Sequence, residues 1–64
     1  MLDETKRYAK IQIQDTSGIW RDRGTTINDS QYIRKAMGSA QMSYPKYRIR
    51  AVDWEGNVLD ILTH

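Results

Sequence analysis

The sequence predicts an α+β fold of the order ββαββ, an antiparallel sheet of two hairpins with one helix packed on one face. Three observations lead to this prediction. Residues 8–15, YAKIQIQD, alternate apolar and polar side chains at the period of a half-buried strand. Apolar residues recur at helical spacing over residues 33–44, and RIRAVDWEGNVLDIL at 48–62 has the pattern of two strands around a glycine turn.

Length and composition limit the kind of molecule this can be. The chain has 64 residues, no cysteine and a net charge of +2. A domain of this size buries only roughly 60% of the surface that its unfolded chain exposes, so a large enclosed substrate pocket is not expected. We expect a single small domain over residues 1–64, with residues 1–6 as a disordered or frayed tail. The absence of cysteine excludes disulfides and thiolate metal sites.

Hydropathy bears on location. No apolar run approaches the roughly 20 residues that span a bilayer. The first ten residues, MLDETKRYAK, lack the apolar core of a secretory signal. We therefore expect a cytoplasmic protein.

The first hairpin turns at DTSG, residues 15–18, whose side chains suit a change of chain direction. We predict that these four residues form the loop, which places Trp20 opposite Ile13 on the core side of the sheet. The residues turned outward are then Lys10, Gln12, Arg21 and Arg23. A three-residue loop would reverse the faces of the second strand.

The helix is predicted from one apolar face, made of Ile33, Ala36, Met37, Ala40 and Tyr44. It should begin within a residue or two of Asn28, the predicted N-cap, and end by Pro45, which disfavours helical geometry before it. Gly38 in a helix interior costs about 1 kcal/mol relative to Ala, so we expect a close approach to the sheet there.

The second hairpin is predicted to turn through residues 54–56, with Gly56 in the left-handed conformation of a bulged turn. The predicted pairs match apolar to apolar and charge to opposite charge. They are Asp53 with Asn57, Val52 with Val58, Ala51 with Leu59, Arg50 with Asp60, and Ile49 with Ile61. Trp54 at the tip then has no core partner, so we expect it to be more exposed than Trp20 and treat it as a candidate contact residue.

These registers predict which side chains the helix covers. The covered face should carry Ile11, Ile13, Trp20, Ile49, Ala51, Leu59 and Ile61.

Residues with catalytic chemistry are few. His64 is the single histidine and the last residue, where a general base would lack fixed geometry. Asp53, Glu55 and Asp60 lack the alternating acidic spacing of a calcium loop, and the four glycines are dispersed rather than grouped around a phosphate. We therefore predict a protein that is not an enzyme, with no catalytic, metal-binding or cofactor-binding residues and no cofactor.

Several stretches together resemble a known group of proteins. They are GIWRD in the first hairpin, TTINDSQYIRKAM at the capped helix, and RIRAVDWEGNVLDIL with its glycine turn and terminal Asp-Ile. Over nearly its full length the chain resembles small uncharacterised proteins of tailed phages, including phages of marine cyanobacteria. The resemblance implies an accessory gene product acting in the cytoplasm of an infected bacterium, and it implies no activity or site residues.

The side of the sheet away from the helix is the predicted binding surface. The predicted partner-binding residues are Lys10, Arg21, Arg23, Arg48, Arg50 and Trp54. Clustered cations attract acidic protein patches or phosphates. The alternative without a partner is a face kept charged for solubility and edge protection.

Two functions compete for this face. We favour a protein-interaction module that binds an acidic host or phage protein, because single-strand nucleic-acid binders present aromatic platforms and only Tyr8 is expected here. The alternative is a small basic nucleic-acid-binding module. Self-association as a homo-oligomer is a further expectation for so small a chain, with Val52, Val58 and Leu62 as the candidate surface.

Overall fold

The structure is a computed structural model that describes residues 4–62. Its elements are a 3₁₀-helix Glu4–Arg7, β1 Tyr8–Gln14, β2 Trp20–Ile27, α1 Ser30–Ser43, β3 Arg48–Asp53 and β4 Val58–Leu62. The strands form one antiparallel sheet in the order β2-β1-β3-β4, which confirms the predicted ββαββ architecture. Of the predicted tail, residues 4–6 lie in the 3₁₀-helix; residues 1–3 and His64 lie outside the described residues.

The hydrophobic core lies between α1 and the two central strands. Its buried members are Ala9, Ile11 and Ile13 of β1, Ile33 and Met37 of α1, and Ile49 and Ala51 of β3. Ala36, Ala40 and Tyr44 of the predicted helical face pack against this cluster, as expected. Two layers therefore enclose one core, and the other side of the sheet, called the open face below, is covered by no other element within residues 4–62.

The helix begins one residue later than its predicted cap. Asp29 is the N-cap, and its side chain accepts a hydrogen bond of 3.0 Å from the backbone N–H of Gln31. Asn28 instead donates its backbone N–H to the carbonyl of Arg7 over 2.7 Å. The helix ends before Pro45, as predicted, with the N–H of Tyr44 bonded to the carbonyl of Ala40.

The predicted close approach at Gly38 is wrong. A Cβ placed on this glycine would meet nothing within 4 Å. Packing against the sheet therefore does not account for the glycine.

The first hairpin has a three-residue loop, so its predicted register is wrong. The N–H of Asp15 donates to the carbonyl of Ile19 over 2.9 Å, and Gly18 takes a φ of 87°. The Asp15 carboxylate selects this turn because Oδ1 accepts from the N–H groups of Ser17 and Ile19 at 2.9 and 3.0 Å. Trp20 therefore pairs with Gln14 and lies on the open face.

A bulge in β2 moves a second predicted residue. Gln12 pairs with Asp22 while Ile11 pairs with Gly24, so Arg23 has no partner across the ladder. Such an extra residue bends the strand and changes the direction of its side chain.

The turn of the second hairpin is as predicted. The N–H of Asp53 donates to the carbonyl of Asn57 over 2.9 Å, and Gly56 has a φ of 92°. Val52 pairs with Val58, as predicted.

Beyond that pair a bulge at Leu59 overturns the rest of the predicted register. The observed pairs are Ala51 with Asp60, Arg50 with Ile61, and Ile49 with Leu62. One inserted residue exchanges the faces of everything after it, so Leu62 packs against the core while Leu59 and Ile61 are exposed. The predicted opposition of Arg50 and Asp60 does not occur.

Candidate binding face of the sheet

The open face is defined by strand alternation and the observed registers. It carries Tyr8, Lys10, Gln12 and Gln14 from β1, Trp20, Asp22, Thr25 and Ile27 from β2, Arg48, Arg50 and Val52 from β3, and Val58 and Ile61 from β4. Three cations and one carboxylate are thus mixed with aromatic and aliphatic side chains. This composition differs from an evenly charged solvent face.

A polar chain crosses three strands at the centre of the open face. Arg50 Nε donates to Gln12 Oε1 over 2.8 Å, and Gln12 Nε2 donates to Asp22 Oδ1 over 2.7 Å. The Arg50 guanidinium also lies 4.2 Å from the centroid of the Trp20 ring. Arg50 is therefore held in place by a neutral amide and an indole, and no carboxylate within residues 4–62 forms a direct ion pair with it.

A second cation and aromatic pair lies beside the first. Lys10 Nζ lies 4.7 Å from the centroid of the Trp54 ring, so the indole folds back from the turn onto the open face. Val52, the register partner of Lys10, is only 2% exposed although it lies away from the helix, which agrees with cover by this indole. Trp54 itself remains 40% exposed.

The predicted order of tryptophan exposure is confirmed, although the predicted reason is wrong. Trp20 is half-buried and therefore less exposed than Trp54. Its cover includes the Arg50 guanidinium on the open face, whereas we had expected contact with Ile13 in the core.

The open face is basic because several acids are used to cap backbone. Asp15 and Asp53 accept N–H bonds in the two turns, and Asp29 caps the helix. Hydrogen bonds from the Ser17 hydroxyl and then from Arg21 hold the pKa of Asp15 far below its usual range. The hydrogen bond from the Asn57 side chain, followed by backbone N–H groups, lowers the pKa of Asp53.

The structure separates the six predicted partner-binding residues into two groups. Lys10, Arg48, Arg50 and Trp54 share the open face. Arg21 and Arg23 do not, and their predicted placement is wrong. Arg21 pairs with Ile13 on the helix side, where its Nε bonds Asp15 Oδ2 at 2.9 Å, and Arg23 lines a groove with residues of α1.

Trp20 is the site residue that the sequence interpretation missed. A usable signal was present, because Asp15 and Gly18 in the first turn have the same spacing as Asp53 and Gly56 in the second. Applying the three-residue turn of the second hairpin to the first would have placed Trp20 on the open face.

The predicted self-association surface is not one patch. Val52 is buried and Leu62 packs toward the helix, so only Val58 of the three is exposed on the open face. The exposed apolar side chains of the edge strand β4 are instead Val58, Leu59 and Ile61.

Residues 4–62 contain no group of three or more His, Asp or Glu side chains placed to hold a metal ion. No helix in that range has the length and apolar composition needed to cross a bilayer. No family model, curated protein or solved structure matches this chain.

Proposed function

We propose that the open face binds single-stranded nucleic acid and that the protein is a small non-enzymatic binding module. The observation that carries this proposal is the meeting of Tyr8, Trp20 and Trp54 with Lys10, Arg48 and Arg50 on one uncovered face. The sequence favoured a protein partner because Tyr8 was the one aromatic residue counted as a stacking platform on this face. Since both indoles lie on this face, the same criterion favours nucleic acid.

The aromatic and the cationic side chains of the open face would contact different parts of a nucleic acid. Stacking of a base on an aromatic ring contributes roughly 1–3 kcal/mol and tolerates any base, because every base has a π-face. Tyr8 is 45% exposed and Trp54 40% exposed, so both offer ring surface to a ligand. Lys10 and Arg48 would contact phosphates, while Arg50, held over the Trp20 ring, would extend the stacking surface with its own planar group.

Two cations of the open face are held in position before any ligand binds, which supports the binding of a single strand. Lys10 and Arg50 are each already held against an indole, and Gln12 fixes Arg50 further. Less side-chain freedom is then lost when a strand binds. Lys10 and Gln12 are two residues apart on β1, about 7 Å, so the two cation and aromatic pairs are neighbours along the sheet.

The resemblance to tailed-phage proteins indicates where in the cell this binding would take place. The chain would act in the cytoplasm of an infected bacterium, where single-stranded DNA and RNA both arise during replication and transcription. The recognition chemistry on the open face is that of bases and phosphates, which both polymers share.

The proposal is tested by anisotropy of labelled single-stranded DNA and RNA oligonucleotides of mixed sequence. We expect Trp54→Ala to weaken binding roughly tenfold, since one stacked base is lost. Tyr32→Ala, which removes a ring 51% exposed on α1, is the matched control and should leave affinity unchanged. Equal losses in the two variants, or no binding of either polymer by the wild type, would contradict the proposal.

The salt dependence gives a second readout of the same titration. The two cations assigned to phosphates, Lys10 and Arg48, predict a slope of about −1.4 in log affinity against log salt, from roughly 0.7 per phosphate on a single strand. Arg48→Ala should reduce the magnitude of this slope by about 0.7. Arg34→Ala, an equal charge change on the exposed side of α1, should not alter it.

One observation favours a second candidate function, contact with an acidic protein or with a second copy of the chain. Val58, Leu59 and Ile61 are exposed on β4, an edge strand of the sheet, and an apolar edge is prone to pair with another strand. Tryptophan, tyrosine and arginine also predominate at protein interface hot spots. This candidate predicts that the wild type has no measurable oligonucleotide affinity near physiological salt.

A further inference from the structure

We propose that the cavity beside Trp54 is a base-recognition pocket that selects guanine within a bound single strand. This inference rests on the proposed function and adds a base preference to it.

The cavity lies at the end of the sheet where the second turn meets the β2–α1 connection. It has a volume of about 290 Å³ and is lined by Lys6, Asn28, Asp53, Trp54 and Glu55. Ligand pockets for small molecules begin at roughly 300 Å³, so the space is of the size that suits one base rather than a larger ligand. Its wall is anchored, because the N–H of Asn28 bonds the carbonyl of Arg7 at 2.7 Å.

The hydrogen bonds of the second turn decide which carboxylate can recognise a ligand. Asp53 Oδ1 accepts from the N–H groups of Glu55 and Asn57 at 2.9 and 2.8 Å, and Oδ2 accepts from Asn57 Nδ2 at 3.0 Å. Both carboxylate oxygens of Asp53 therefore already accept hydrogen bonds within the turn. The Glu55 carboxylate has no hydrogen-bond or ion-pair partner among residues 4–62. Glu55 is the residue after Trp54 in the chain, and both line the cavity.

A carboxylate next to a stacking ring favours one base. Guanine presents two adjacent donors, N1–H and the N2 amino group, which match the two oxygens of a carboxylate. Adenine and cytosine each place an acceptor next to their amino donor, and thymine and uracil place one donor between two carbonyls. With guanine stacked against Trp54, Glu55 would accept both donors, and Lys6 or Asn28 would face the O6 acceptor.

The test uses labelled nine-nucleotide oligothymidylates whose central nucleotide is thymine, cytosine, adenine, guanine or hypoxanthine. Hypoxanthine keeps N1–H and lacks the N2 amino group. We expect the guanine oligonucleotide to bind about tenfold more tightly than those with thymine, cytosine or adenine, within the range for a bidentate contact to a base. The hypoxanthine oligonucleotide should be intermediate.

Substitutions at two carboxylates test whether Glu55 is responsible for the guanine preference. Glu55→Gln should bring the affinity ratio of guanine to adenine close to one while leaving the thymine oligonucleotide unaffected. Asp60→Asn makes the same charge change on the helix side of the sheet, opposite Ala51, and should keep the ratio. Circular dichroism of both variants checks that the fold is retained.

The outcomes separate this inference from the function on which it rests. Equal binding of all five oligonucleotides, with Trp54→Ala still weakening each one, would overturn the guanine pocket alone. Failure of every oligonucleotide to bind would overturn the proposed function and the pocket with it. A guanine preference that persists in Glu55→Gln would also overturn the pocket.

Discussion

At the scale of single residues, three aspartates determine where elements start and turn. Asp15 and Asp53 each accept two backbone N–H bonds within a turn, and Asp29 accepts one at the start of α1. A short carboxylate suits these positions because it reaches the N–H two residues ahead. These acids lie away from the open face, so a chain of net charge +2 acquires a basic surface.

The lowered pKa of Asp53 predicts a pH dependence of stability. An unfolded aspartate titrates near pH 3.9. Since the folded pKa lies below that value, the contribution of this carboxylate is fully present above the unfolded pKa and is lost as the pH falls through the folded pKa. Asp53→Asn should lower the urea midpoint at pH 7, and its difference from the wild type should shrink below about pH 4.

The measurement is a series of urea denaturations from pH 7 to pH 2. Asp60→Asn is the matched control, because among residues 4–62 this carboxylate accepts only the N–H of Ile61 next to it and closes no turn. A difference between wild type and Asp53→Asn that stays constant across the series would contradict the assignment.

At the scale of elements, the two hairpins show what sequence spacing can and cannot predict. The alternation of β1, the apolar face of the helix and the second turn were predictable from the sequence, because each depends on residues close together in the chain. The three-residue loop of the first hairpin was readable in principle from the spacing of Asp15 and Gly18. The choice of a longer loop therefore misplaced Trp20 and Arg21.

The two bulges, in β2 and in β4, were not predicted from the sequence. Arg23 and Leu59 are unpaired because of how two strands align over several residues. Gly24 beside Arg23 is a residue type typical of a bulge, whereas no glycine stands next to Leu59. A bulge reverses the faces that follow it, so an otherwise correct strand prediction gave the wrong partner for Arg50.

Two glycines predict opposite effects of the same substitution. Gly56 has a φ of 92°, where an L-residue is disfavoured by about 1–2 kcal/mol, so Gly56→Ala should destabilise the domain by about 1 kcal/mol or more. Gly38 lies within α1 and nothing would contact an added Cβ within 4 Å. Gly38→Ala should therefore stabilise the domain by about 0.5–1 kcal/mol.

Urea unfolding of the two variants at pH 7 checks this pair directly, each serving as the control for the other. A loss of stability in Gly38→Ala would mean that the helix is closer to a neighbour than the structure shows. No loss in Gly56→Ala would mean that the second turn has another conformation.

At the scale of the whole molecule, one helix covers one side of the sheet and leaves the other available. The spacing of apolar residues predicted this division, and with it the placement of Lys10, Arg48 and Arg50 on the open face. Tyr8 and Trp54 were expected as contact residues, but the placement of Trp20 on the open face was not predicted, because it depends on the length of the first loop. The position of the Trp54 ring depends on its folding back beside Lys10. Those two features change the favoured partner from a protein to a nucleic acid.

The central claim is that the open face binds single-stranded nucleic acid, and an NMR titration tests it most directly. The chain has only two tryptophans, so two indole N–H signals report on Trp20 and Trp54 separately. Adding a mixed-sequence single-stranded oligonucleotide to ¹⁵N-labelled protein should shift both indole signals and amides of β1 and β3, and leave the amides of Arg34 and Lys35 on α1 unchanged. Shifts confined to α1, or an unchanged spectrum with oligonucleotide in excess near physiological salt, would contradict the claim.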